Sequence, residues 1–200
     1  MVLLVGDKNT ELALRGLLSR PQAPGIRPLQ CDIYPHPRHD PGCRLESHQF
    51  LRSFVRSHDH ALVVFDREGC GRDASSREAL EQELENALSQ TGWADRATAI
   101  VIDPELEAWV WSESPHVEKV LARTGRDPTL RQWLQQRGLL LPGQVKPDRP
   151  KEAMLAALRT VQKPPSSSLF EQLAKTVGLT HCADPAFLKL TGVLKKWFPS

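Results

Sequence analysis

The sequence has little of what usually announces a function at once. Cysteine is sparse, four residues at 31, 43, 70 and 182, and no two form a Cys-x-x-Cys pair that would suggest zinc. No apolar run approaches the roughly 20 residues needed to cross a bilayer. Charge excess is small: 26 basic against 24 acidic side chains leave +2, too little to mark a nucleic-acid or membrane-surface binder by bulk charge. The start, Met-Val-Leu-Leu-Val-Gly-Asp, lacks the basic leader of a signal peptide. There is no internal repeat, and no low-complexity tract beyond a short Pro/Ser stretch near 164–168. Together these absences predict a soluble, cytoplasmic chain with reduced thiols and no membrane partner.

What is present is an alternation of apolar runs and amphipathic stretches. Val2 to Val5 reads as a first strand. "DKNTELALRGLLSR" follows as a helix with Leu12, Leu14, Leu17 and Leu18 near helical spacing and Thr10 as its N-cap. "GIRPLQCDIY" is a Pro-broken strand suited to a sheet edge, and Arg44 to His58 reads as a second helix. "ALVVF" is the strongest strand. "SSREALEQELENALSQ" is an amphipathic helix whose Glu78, Glu81, Glu83 and Glu85 read as a solvated face. "ATAIVI" is the next strand. Apolar runs without alternation imply strands covered on both faces. The expected fold is α/β, a mostly parallel open sheet of about four strands with flanking helices over 1–112, followed by a helical C-terminal part over 113–200 packed on it. Helical pieces are expected at 105–112, 116–124, 129–137, 151–161, 168–177 and 185–197.

Acids mark three strand ends. Asp7 and Glu11 follow the first strand, Asp66 and Glu68 follow "ALVVF", and Asp103, Glu105 and Glu107 follow "ATAIVI". Right-handed crossovers put these ends along one edge, where open α/β sheets gather ligands. Residues two apart on an extended chain point the same way, about 6 to 7 Å apart. Asp66 and Glu68 can therefore flank one cation, and Gly69 and Gly71 allow the backbone to turn closely there. Magnesium, or manganese, is the ion such oxygen donors suit. Gathering the acids without it costs like-charge repulsion. Against this, acids after strands are also ordinary loop residues and helix caps, and Asp103-Pro104 reads as a turn.

"LLVGDKNTEL" and "VVFDREGCG" resemble the paired acidic motifs of Toprim-type domains, the metal-binding α/β fold of topoisomerases, primases and OLD-family nucleases. "IDPELEAWVW" and "PKEAMLAAL" resemble small bacterial Toprim-like proteins associated with phage-defence clusters and ATPases. The resemblance departs in three places: Asp7 stands for a glutamate, Lys8 for a glycine, and Glu68 for an aspartate. It implies metal ligation by Asp7, Glu11, Asp66 and Glu68, and adds Glu107, Trp109 and Lys151 as site or near-site residues. The expected activity is Mg2+-dependent cleavage of phosphodiester bonds in nucleic acid, within a bacterial antiviral system. A rival expectation is a non-catalytic subunit that docks an ATPase. Other readings are plainer: "YPHPRHDPGC" is a loop without zinc spacing, Cys70 a buried thiol, and Lys189, Lys195 and Lys196 a solvated helix end.

Overall fold

The computed structural model describes residues 1–178 and 182–200. Four strands, β1 (Val2–Val5), β2 (Asp32–Pro35), β3 (Ala61–Asp66) and β4 (Ala97–Ile102), form one parallel sheet in the order β2-β1-β3-β4. The first, third and fourth carry the uninterrupted apolar runs, and β1 and β3 are sealed on both sides. The Pro-broken segment gives the short edge strand β2, as its interruptions require.

Alternate residues divide between two faces. Leu3, Val5, Leu62, Val64, Ile100 and Ile102 join one apolar cluster; Val2, Leu4, Val63, Phe65, Ala99 and Val101 join the other. Helices α2 (His39–Arg52) and α3 (Arg77–Leu88) cover the second face through Cys43, Leu51, Leu80, Leu84 and Leu88, with Trp93 beside them. The first face is covered by α1 (Lys8–Leu18) together with the C-terminal helices. Those are α4 (Pro115–Val120), α5 (Leu130–Gln136), α6 (Pro150–Thr160), α7 (Ser167–Thr176) and α8 (Pro185–Trp197). The region 113–200 thus shares a core with α1 and supplies one wall of the sheet's covering. Gly16 permits the close approach of α1 and α7: a Cβ there would stand 2.7 Å from the Glu171 carbonyl oxygen.

Four local expectations are corrected. The cap of α1 is Asp7, whose carboxylate accepts the Thr10 N–H at 2.8 Å; Thr10 donates to the cap and is not the cap itself. Helix α2 begins at His39, five residues before the expected start, so Asp40 to Cys43 are helical where a loop was expected. Glu81 and Glu85 do not lie on a solvated face. Glu81 is 3% exposed. It accepts the Val101 N–H at 3.0 Å, while Glu85 accepts that of Ala99 at 3.1 Å. The outward-facing donors of edge strand β4 are thereby satisfied by carboxylates, and no further strand is needed there. Lys189 of α8, expected in a solvated end, binds both glutamates, at 3.1 and 2.7 Å.

This edge makes a clear prediction. Glu81→Ala should cost about 2–3 kcal/mol, because it strands the buried Val101 N–H and removes partners of Arg77 and Lys189. Glu83→Ala, on the exposed side with Arg72, should stay within about 0.5 kcal/mol. Urea denaturation of both variants measures the difference.

Candidate functional site

β1 and β3 are direct neighbours, with Val5 opposite Val64. Two residues beyond that pair stand Asp7 and Asp66, so parallel pairing sets both at the same carboxyl edge. Asp66 is the last residue of β3, half-buried; its Oδ1 is sealed from solvent with no hydrogen-bond partner among the described residues, while the Leu106 backbone N–H lies near enough to the carboxyl group to favour its charge.

A third acid comes from α2. Asp40 accepts the Asp66 backbone N–H at 3.1 Å and lies over Gly6. A Cβ at Gly6 would fall 2.0 Å from the Asp40 Oδ1, so glycine is needed there. His39, which begins α2 at a positive φ of 51°, has its Nδ1 3.3 Å from the Gly6 carbonyl oxygen. A non-glycine residue in that conformation is strained, and surrounding structure has to hold it.

A fourth acid comes from the 3-10 turn Leu106–Trp109 that follows β4. Glu107 is 5% exposed. It does not turn to solvent, as a plain terminal acid would. Beside it Glu105, also buried, accepts the backbone N–H of Lys151 at 3.0 Å and faces its Nζ at 3.4 Å. Arg149, the N-cap residue of α6, offers no side-chain cap; Glu105 takes that role from across the fold, where a negative charge meets the positive end of the helix. The adjacent indoles are anchored: Trp111 is buried and donates to the Pro150 carbonyl, and Trp109 donates to Asp184.

The electrostatics reflect this crowding. Burial, then the charge of Asp40, pushes Asp66 well above the ordinary carboxylate range, and Glu107 and Asp7 add to it. Burial raises Asp40 too, with Asp7 contributing. Glu107 is pushed up to about 7 by burial and by Glu105, against the pull of the Lys151 ammonium. Desolvation of Lys151 is outweighed by Glu107 and Glu105, which hold it above its usual value.

The structure therefore brings together Asp7, Asp66, Glu107 and Lys151 of the expected set, and adds Asp40 and Glu105. It does not bring in Glu11 or Glu68. The Glu11 carboxylate is buried but bound by Lys8 and Arg15, both at 2.8 Å. Desolvation alone would raise it; those two hydrogen bonds lower it overall. Glu68 is exposed, in a turn anchored by its backbone N–H to the Pro104 carbonyl. The i, i+2 argument fails there because β3 ends at Asp66 and the chain turns. Asp103, expected in a turn, pairs with Arg67 at 2.8 Å. Cys70 is a buried thiol, as expected. Asp40 was missed because its segment looked like a loop; the signal was Asp40-Pro41 just beyond a strand, a proline fit for a first helical turn. Among the described residues no three of His, Cys, Asp and Glu converge closely enough to hold a metal by themselves.

Comparison of the chain with protein-family models, curated proteins and solved structures finds no match.

The raised acids fix the sign of a pH effect. Each keeps its proton in the folded chain at a pH where the unfolded chain has lost it. The contribution of these three acids to metal-free stability is therefore fully present below the ordinary carboxylate range and is lost as pH rises through their folded-state values, while Glu11, held low by Lys8 and Arg15, contributes with the opposite sign. Glu107 alone, with its value near 7, accounts for about 3 kcal/mol between pH 8 and pH 4.5. Urea denaturation in chelator across this range should show the decline, and Glu107→Gln should flatten it.

Proposed function

We propose that the acidic edge holds a divalent cation, magnesium or manganese, and that the protein is a Toprim-like phosphodiester hydrolase acting on nucleic acid. The observation that carries this reading is the Asp66 Oδ1, buried without a partner amid other carboxylates. An oxygen lone pair closed off from both water and donors is costly unless something positive meets it. The donor set is all carboxylate, which suits hard cations. Magnesium is commonly held by one or two carboxylates, with waters and substrate phosphate completing its shell, so Asp7 and Asp66 suffice without a third ligand. When bound, such an ion supplies a more acidic water and charge for a phosphate oxygen. The chain's own groups have separable tasks. Lys151, exposed and kept cationic by Glu105 and Glu107, neutralises a phosphate oxygen. Glu107 takes up or gives a proton near neutral pH. Asp40 fixes the Asp66 backbone.

The antiviral-defence setting rests on the resemblance of "IDPELEAWVW" and "PKEAMLAAL" alone, and a cytoplasmic location on the scattered thiols and the lack of a basic leader. A second reading, a non-catalytic subunit that docks an ATPase of the same system, is favoured by one observation: Glu11 is occupied by two cations and Glu68 faces solvent.

End-labelled single- and double-stranded DNA and RNA, incubated with the purified chain and magnesium, manganese or chelator, separate the two. Hydrolysis should need metal and fall at least 100-fold in Asp66→Asn. In chelator that variant should melt no lower than wild type, since it removes a repelled charge. Magnesium at 100 times its dissociation constant should stabilise wild type by about 2.7 kcal/mol and Asp66→Asn far less. Stabilisation without cleavage would favour the subunit; absence of both would overturn the metal reading.

A further inference from the structure

A cavity of about 810 Å³ is lined by residues of α1, α7, the start of α8 and the 3-10 turn Leu106–Trp109. Its walls are mostly apolar, with Leu14, Leu17, Trp109, Trp111, Phe170 and Phe187 among them. Close-packed interiors leave few voids larger than a water molecule, whereas ligand pockets span roughly 300–1,000 Å³ behind apolar walls with a few polar groups. The size and lining are those of a ligand site, not of a packing defect.

The polar groups give the ligand its sign. Lys146 is paired with Asp184 at 3.1 Å, and Asp184 also accepts the Trp109 Nε1–H and the Phe187 N–H, so these charges cancel within the wall. Glu113 is exposed at the rim. Arg20 is the cation left over: it lines the cavity, donates through one Nη to the Val177 carbonyl, and makes no ion pair among the described residues. Its Nε is sealed from solvent and has no hydrogen-bond partner. The Arg20 charge has no counter-ion among the described residues, and an anion in the cavity supplies one to the part of the side chain that lines it.

We propose that this cavity binds a small apolar molecule carrying a single anionic head, with the apolar body among Trp109, Trp111, Phe170 and Phe187 and the head on Arg20. Leu106 lines the cavity and the next residue, Glu107, belongs to the acidic edge, so a bound molecule touches the turn that carries Glu107. The site does not depend on the metal reading and is tested in chelator.

Decanoate, decyl phosphate and decanol, titrated below their aggregation limits and followed by tryptophan fluorescence and melting temperature, provide the probes. At least one of the two anions should bind about tenfold or more tightly than the alcohol, as a charged hydrogen bond requires. Which anion binds better distinguishes a carboxylate source from a phosphate source. Arg20→Met should abolish the preference, and Ser112→Phe, which fills the cavity from its lining, should abolish binding. If Arg20→Met does not fold, judged by its melting curve, Ser112→Phe decides alone. Binding of alcohol and anions with equal affinity, no binding, or binding unchanged by the folded variants would overturn the proposal.

Discussion

Parallel pairing of β1 with β3 is the constraint on which the site depends. With Val5 set opposite Val64, the residues that follow must emerge side by side at one edge, and here those residues are Asp7 and Asp66. The hydrophobic effect fixes this register, because a one-residue slip would turn Leu3, Val5, Leu62 and Val64 onto the wrong face. Core packing therefore enforces a repulsive arrangement of charge. The energy of the buried strands holds the acids where they would not gather by themselves. Asp40 is added by a strained His39 and a close approach that only glycine at position 6 allows.

The C-terminal helices are joined to the sheet by carboxylates as well as by apolar contact. At the β4 edge, Glu81 and Glu85 bind strand amides on one side and Lys189 of α8 on the other. At the carboxyl edge, Glu105 receives the N-terminus of α6 and its Lys151. Glu81 and Glu105 use both oxygens and Glu85 uses its Oε1 twice, so all three serve as joints. Asp66 lacks such completion at its Oδ1, which is why it stands out from these acids. The same contrast separates Arg20 from Lys146 in the apolar cavity.

The strands were legible because their apolar runs are unbroken: β1 and β4 match the expected segments residue for residue, and α8 does too. Asp7, Asp66 and Glu107 were legible because each lies on or just after such a strand. What sequence periodicity could not show was partnership. An i, i+4 glutamate row looks solvated until β4 and Lys189 are seen to occupy Glu81 and Glu85. Glu11 looks like a ligand until Lys8 and Arg15 close around it. Glu68 failed because an extended geometry was assumed one turn too far. Asp40 was invisible because its helix has no strong apolar stripe, its buried residues being Gly42, Cys43, Ser47 and Leu51.

Calorimetric titration of the metal-free chain with manganese, in buffers of differing ionisation enthalpy near pH 7, tests the central claim most directly. Ions entering this edge must displace protons, since burial raises Asp66 well above the ordinary carboxylate range and pushes Glu107 up to about 7. The account predicts one saturable site whose apparent heat changes with the buffer, showing net proton release, and whose affinity rises with pH. Asp66→Asn should lose the site. Absence of binding, or binding that releases no protons and survives Asp66→Asn, would contradict it.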